Sequence, residues 1–157
     1  CVLATDMSFH TKELNTMKLK IENYEIKDGK NVDLIFENLD HVGLFNVQQE
    51  FLNTLIHLAD VSNPTKPIKT YKVWVDKIME EFFIQGDKEK DMKLPVSFLC
   101  DRNTTKIPNS QIGFMDGIVH PLVKCMVVFF PNLNFLIDNL DNNKEYYKKL
   151  KENSENK

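Results

Sequence analysis

The chain predicts an all-α fold, and three observations carry that reading. Apolar residues recur at three- and four-residue spacing in several separate segments. No run of useful length alternates with the period of two that a half-buried strand requires. Proline and glycine close two of the periodic segments, Pro64 and Pro67 after one and Gly86 at the end of another.

The first segment, Val2 to about Leu19, places Leu3, Met7, Leu14 and Met17 on one side of a helix. The stretch Ile21 to Asp40 is polar and holds the turn signal Lys27-Asp28-Gly29-Lys30-Asn31, so a frayed helix end and a loop are expected there. A second helix is predicted from about Asn46 to Val61, its buried face made by Phe51, Leu52, Leu55, Ile56 and Ala59. Asp60 then falls at the edge of that face, half-buried and directly before a segment that cannot continue the helix. A third helix runs from Lys69 to about Gly86, followed by a solvated charged patch, Asp87 to Asp91. Leu94 to Ser110 reads as an irregular loop. A fourth helix, about Gln111 to Phe129, is almost wholly apolar, and Pro121 inside it predicts a kink or a break into two. The last helix spans Asn134 to about Lys151 and carries Phe135, Leu136, Leu140, Tyr147 and Leu150.

Bulk properties narrow the function classes. With 157 residues and 42% hydrophobic content, one domain with one core is the default. A formal charge of −3, with Arg102 the only arginine, argues against a nucleic-acid partner. Three widely spaced cysteines, Cys1, Cys100 and Cys125, point to reduced intracellular thiols and not to a disulfide frame or zinc cluster. The apolar run Met126–Phe130 is too short to span a bilayer, so no membrane contact by this segment is expected. The chain opens on Cys-Val-Leu-Ala-Thr-Asp-Met, apolar from its first residue, and reads as cut from a longer polypeptide.

Four groups offer chemistry. A half-buried Asp60 carboxylate needs a metal, a cation or several donors, and backbone amides at the helix end serve as well as a metal. His10, His41, His57 and His120 show none of the spacings that make a metal site alone. Gln111 opens an apolar helix; its amide can donate and accept at once, which suits a purine edge, and equally suits a capping role. Phe114 lies three residues on, on the same face, and either stacks on a planar ligand or packs in the core. Ile78, Phe82 and Phe83 carry the same two readings.

Four blocks then occur in order: Ala4-Thr5-Asp6-Met7-Ser8; Asp60-Val61-Ser62-Asn63-Pro64-Thr65-Lys66-Pro67; Met79-Glu80-Glu81-Phe82-Phe83-Ile84-Gln85-Gly86-Asp87-Lys88-Glu89; and Ser110-Gln111-Ile112-Gly113-Phe114-Met115-Asp116-Gly117-Ile118-Val119-His120-Pro121. With the closing stretch Asp138 to Tyr147, they resemble the class I cyclic nucleotide phosphodiesterases over essentially the whole chain. The resemblance implies that residues 1–157 form the C-terminal part of a compact, multi-helix, HD-type catalytic domain. It implies hydrolysis of cAMP or cGMP to the 5′-monophosphate by a hydroxide held between two divalent metals, zinc and magnesium or manganese. In that frame Asp60 matches a zinc ligand and Thr5 a residue that orients water on the second metal. Gln111 matches the purine-binding glutamine, with Phe114 and Ile78 on the two faces of the base. Asn63, Tyr71, Trp74, Met79, Phe82 and Leu99 match pocket-lining positions, and Met7 the phosphate side.

The family's other metal ligands and its general-acid histidine belong to a first half that this chain does not contain, and the four histidines present do not replace them. The expected partners are therefore a cyclic nucleotide and the N-terminal half of the same domain. Such a parent would sit in the cytoplasm or be tethered to a membrane from that side. Two departures from the family pattern are Phe98, where proline is usual, and Val123, where tryptophan is common. The rival reading is a degenerate domain that binds nucleotide or a partner without turnover. Retention of Thr5, Asp60 and Gln111 together argues against that decay.

Overall fold

The computed structural model describes residues 2–26 and 39–155, with side chains for 3–22 and 39–154; the expected turn at 27–31 lies outside the described residues. All regular structure described is helical: α1 (His10–Ile26), α2 (His41–Asp60), α3 (Ile68–Asp91), α4 (Ile107–Phe114), α5 (His120–Phe129) and α6 (Phe135–Glu155). The helices fall into two units. The first comprises Cys1–Ser62 with Val119–Phe135, the second Asn63–Ile118 with Leu136–Lys157.

In the first unit the opening segment is not one continuous helix. Two 3-10 turns, Val2–Thr5 and Met7–Phe9, precede α1, and the break falls at Asp6, whose carboxylate accepts the Ser8 N–H at 2.9 Å. That local bond offers the backbone an alternative to helix. Leu14 and Met17 are buried as expected, whereas Leu3 and Met7 are exposed. The second helix begins earlier than its apolar pattern, because Asp40 caps it by accepting the Gly43 N–H at 2.7 Å. Its buried stripe is Phe51, Thr54, His57 and Leu58, with Val61 beyond; Leu52, Ile56, Ala59 and Asp60 are exposed. The half-buried Asp60 is thus corrected to an exposed one. The reason is that α2 carries two apolar stripes, and the one used inside the unit includes the polar pair Thr54 and His57. Phe51 packs edge-on against Phe129 of α5, with ring centroids 5.0 Å apart.

In the second unit α3 runs through Gly86 to Asp91 instead of ending there. Gly86 serves packing: a Cβ at that position would stand 1.9 Å from the Cys100 carbonyl oxygen. The helix stops where Lys93 turns left-handed (φ 57°), and the Leu94 N–H closes on the Glu89 carbonyl. The charged stretch 87–91 is not merely solvated. Arg102 donates to Asp87 at 2.6 and 2.9 Å and lies over the Phe83 ring; Lys90 pairs with Asp101, and Glu89 accepts from both Ser97 N–H and hydroxyl. These bonds stitch the 94–106 loop onto the last turns of α3.

The break expected near Pro121 occurs just before it, as a π-helical turn at Met115–Val119. Pro121 provides no N–H and its ring crowds the carbonyl of Gly117, four residues back; widening the turn relieves both. Ile107–Phe129 as a whole has the length and composition of a membrane-crossing helix, with a mean hydropathy of 1.6. The apolar run is therefore longer than the five residues read from sequence. Of that apolar window 39% is buried inside the protein, and Gln111, Met115, Leu122, Val123 and Met126 are buried residues along the helix.

Replacing Gly86 by alanine should destabilise the fold by about 1–3 kcal/mol, because backbone and not a flexible side chain must move. Urea unfolding of the two forms measures this directly, and an unchanged midpoint would show that the loop yields freely.

Candidate functional site

Of the predicted pocket residues, the structure draws three together in the second unit. Tyr71, fully buried on α3, donates its hydroxyl to Gln111 Oε1 on α4 at 2.7 Å. Gln111, itself buried, turns its Nε2 toward Met79 Sδ at 3.7 Å and Ser110 Oγ at 3.4 Å. Gln111 lies well inside α4, after Ile107 and Pro108, so it is not a capping residue. Burial, with Tyr147 beside it, pushes the Tyr71 phenol far above its usual range, so it remains a donor at any physiological pH.

This arrangement sets the amide. Its oxygen faces a permanent donor, while its nitrogen faces a thioether and a hydroxyl, both modest acceptors. Turning the amide over would leave the Tyr71 proton seeking another acceptor in a buried place, at a cost of about 1–3 kcal/mol. What remains available is one amide N–H beside one oxygen lone pair, a donor and an acceptor side by side.

The other predicted residues are placed as follows. Ile78 and Phe82 continue the Tyr71 side of α3 at helical spacing and are half-buried, as is Phe114 on α4; Trp74 is half-exposed. Asn63 sits in a 3-10 turn, Asn63–Thr65, ahead of α3. Leu99 is held in a left-handed conformation (φ 64°) and lines a cavity of about 420 Å³ with Phe98, Lys106 and Ser110. Phe98 is 87% exposed and Val123 fully buried, so only the first departure from the family pattern alters a surface.

Thr5, Met7 and Asp60 belong to the first unit. Thr5 ends the Val2–Thr5 turn, which packs on α2, and Met7 opens the next turn. Asp60 is the last residue of α2, exposed. A carboxylate there stands at the negative end of the helix dipole, where a cation is favoured by about 0.3–1 kcal/mol. Among the described residues no three His, Cys, Asp or Glu side chains gather as a metal site.

Sequence reasoning missed two features. Ser110 beside the Gln111 amide was read as loop. His10 and His57, taken as scattered, meet in the first unit: His10 Nδ1 lies 2.9 Å from His57 Nε2, and both rings are buried. Their outer nitrogens, His10 Nε2 and His57 Nδ1, have no hydrogen-bond partner. With 47 residues between them, no local pattern could announce the pair.

The sequence pattern of the 3′5′-cyclic nucleotide phosphodiesterase family matches residues 1–140. This chain belongs to that family. It is 42% identical over 147 residues to the Caenorhabditis elegans protein named "Probable 3′,5′-cyclic-AMP phosphodiesterase pde-4", covering 93% of this chain and 21% of that one. It is 40% identical over 150 residues to isoform F of a Drosophila melanogaster 3′,5′-cyclic-AMP phosphodiesterase, covering 95% and 22%. The phosphodiesterase domain of the RhoPDE fusion protein from the choanoflagellate Salpingoeca rosetta superposes with a TM-score of 0.81 at 28% identity, over 100% of this chain and 46% of that one. LmjPDEB1, solved in complex with IBMX, gives 0.77 at 29%, over 98% and 42%. The chain therefore spans about a fifth of these curated relatives and less than half of the solved chains.

The buried histidine pair generates a pH prediction. Burial, and then the neighbouring His57, hold His10 below the ordinary histidine range. The unfolded chain thus takes up the proton first, and stability should fall as pH drops below about 6.5. Glu13, pushed up by burial, acts in the opposite sense at lower pH. His10→Asn keeps a bonding nitrogen near the Nδ1 position and removes the titration, so it should flatten the pH 7.5 to 5.5 slope in urea unfolding. An identical slope in that variant would exclude the pair as its source.

Proposed function

We propose that this chain is the C-terminal part of a catalytic domain that hydrolyses 3′,5′-cyclic AMP to 5′-AMP. The observation that carries the reading is the Gln111 amide held by Tyr71, in a chain of the cyclic nucleotide phosphodiesterase family. An oriented amide presenting a donor beside an acceptor complements adenine, whose amino group donates next to an accepting ring nitrogen. Guanine offers the reverse pair, so the bond from Tyr71 favours cAMP over cGMP. Ile78, Phe82 and Phe114 supply apolar surface for the faces of the base, with Met79 at its edge. Asn63, Trp74 and Leu99 line the remaining wall.

On the phosphate side, the reading assigns Asp60 as one ligand of a divalent-metal pair, zinc with magnesium or manganese. Thr5 orients water there and Met7 borders it. The other ligands and the general acid come from the N-terminal part of the domain. Two observations support that division. The chain covers 46% and 42% of the solved phosphodiesterase chains it matches. Leu3, Val42, Phe45, Leu52 and Ile56 are exposed apolar residues, a patch suited to being covered. Cys100 and Cys125, both free and buried, suit an intracellular setting.

In the full-length polypeptide, Asp60→Ala should lower turnover at least about 100-fold, since even changes behind a metal ligand cost roughly 10–100-fold. Retained turnover would remove Asp60 from the metal site. Gln111→Ala should instead raise the KM for cAMP by roughly 10–100-fold with metal content unchanged, as expected for a lost pair of specific hydrogen bonds. Residues 1–157 alone should hydrolyse no cyclic nucleotide; measurable product from that polypeptide would refute the division of the site.

A further inference from the structure

The last helix makes contacts that core packing alone does not require. Asn143 is 1% exposed, and its Nδ2 donates to both the Pro64 and Lys66 carbonyls at 2.7 Å. One turn earlier, Asn139 donates to the Thr65 carbonyl at 3.0 Å. One turn later, the Tyr147 ring meets the Tyr71 ring edge-on, centroids 5.6 Å apart at 72°. Residues 139, 143 and 147 recur every four positions, so they share one face of α6.

The turn they grip is Asn63–Thr65, in which Pro64 and Thr65 are buried. It is a single 3-10 turn between two helices, closed by Lys66 N–H to the Asn63 carbonyl at 3.2 Å, and α3 then starts at Pro67 without a side-chain cap. Three successive carbonyls, 64 to 66, are anchored by side-chain amides of α6. Only a carboxamide can give two N–H groups to two carbonyls without burying a charge. The same face supports the ring whose hydroxyl orients Gln111.

We propose that Asn143 and Tyr147 are positioning residues for nucleotide selection. Asn143 sets the turn that presents Asn63, and Tyr147 sets the Tyr71 ring and through it the Gln111 amide. This rests on the reading of Gln111 as the group that recognises the base. Neither residue touches substrate; both act through residues that do.

The test uses the full-length enzyme with Asn143→Leu, Asn143→Ser, Tyr147→Leu, Tyr147→Phe and Gln111→Ala. KM and kcat are measured for cAMP and cGMP, with 5′-AMP affinity by calorimetry and the unfolding midpoint. Asn143→Leu and Tyr147→Leu should raise the KM for cAMP roughly 3- to 30-fold, the span expected for supports of a binding site. They should also narrow the preference for cAMP over cGMP and weaken 5′-AMP binding in parallel. Turnover per folded molecule should stay within about twofold. Tyr147→Phe keeps the ring edge and should match the parent. The milder Asn143→Ser should show a partial KM effect even where Asn143→Leu fails to fold. A lowered unfolding midpoint with unchanged KM and unchanged nucleotide preference would make both residues structural only and overturn the proposal. If Gln111→Ala itself leaves KM and 5′-AMP affinity unchanged, the base-recognition reading fails first, and this proposal falls with it.

Discussion

A phenol sealed inside protein keeps its proton and must give it to an acceptor, and the second unit is organised around where Tyr71 gives its own. The acceptor is Gln111 Oε1, forty residues later in the chain. Once that oxygen is engaged, the rest of the amide follows: its nitrogen is left facing sulfur and a hydroxyl, partners that use its donor capacity weakly. A satisfied carbonyl beside an under-used N–H is the state in which a ligand with a good acceptor gains most, because it replaces a poor bond and not a good one. The buried tyrosine therefore does more than hold the core. It fixes which way the Gln111 amide faces, leaving an N–H and the second oxygen lone pair side by side.

The supports of that bond come from helices far apart in sequence, and each uses different chemistry. On α3, Tyr71, Val75 and Met79 form a buried stripe at four-residue spacing. The far end of α3 is fixed by charge: Arg102 on Asp87 and Lys90 on Asp101 tie the 94–106 loop down where Gly86 lets the Cys100 carbonyl approach. These are exposed ion pairs, each worth little alone, but they converge on one loop with Glu89 and Ser97. The π turn at Met115–Val119 follows the Gln111 helix directly. Pro121 forces that irregularity, and it separates the register of α5 from that of the segment carrying Gln111.

The all-α fold and most helices were legible in the sequence, because three- and four-residue spacing is a direct record of burial. Boundaries were less so, for reasons visible in single residues. Asp6 and Asp40 end or begin helices through side-chain bonds that a hydrophobic pattern does not register. Gly86 reads as a helix stop by propensity, yet its missing Cβ is used for a close contact with a residue fourteen positions away. Tyr71, Met79 and Gln111 were named as pocket residues by resemblance; the bond that orders them was not legible, since an amide's orientation depends on neighbours distant in the chain. His10 with His57, and Asn143 with the 64–66 carbonyls, are invisible for the same reason.

Asp60 shows how a pattern can be right about a face and wrong about its burial. It lies four residues after Ile56 and eight after Leu52, on the second apolar stripe of α2, and that stripe is exposed here together with the carboxylate. The two facts are one. An exposed apolar stripe of this kind marks a surface suited to a partner, and whatever lies on Leu52 and Ile56 also approaches the end of α2. A carboxylate at the negative end of a helix, bordered by covered apolar surface, then needs a cation more than it does in open solvent. On the proposed reading of Asp60 as a metal ligand, covering the stripe and completing its site fall on the same helix face.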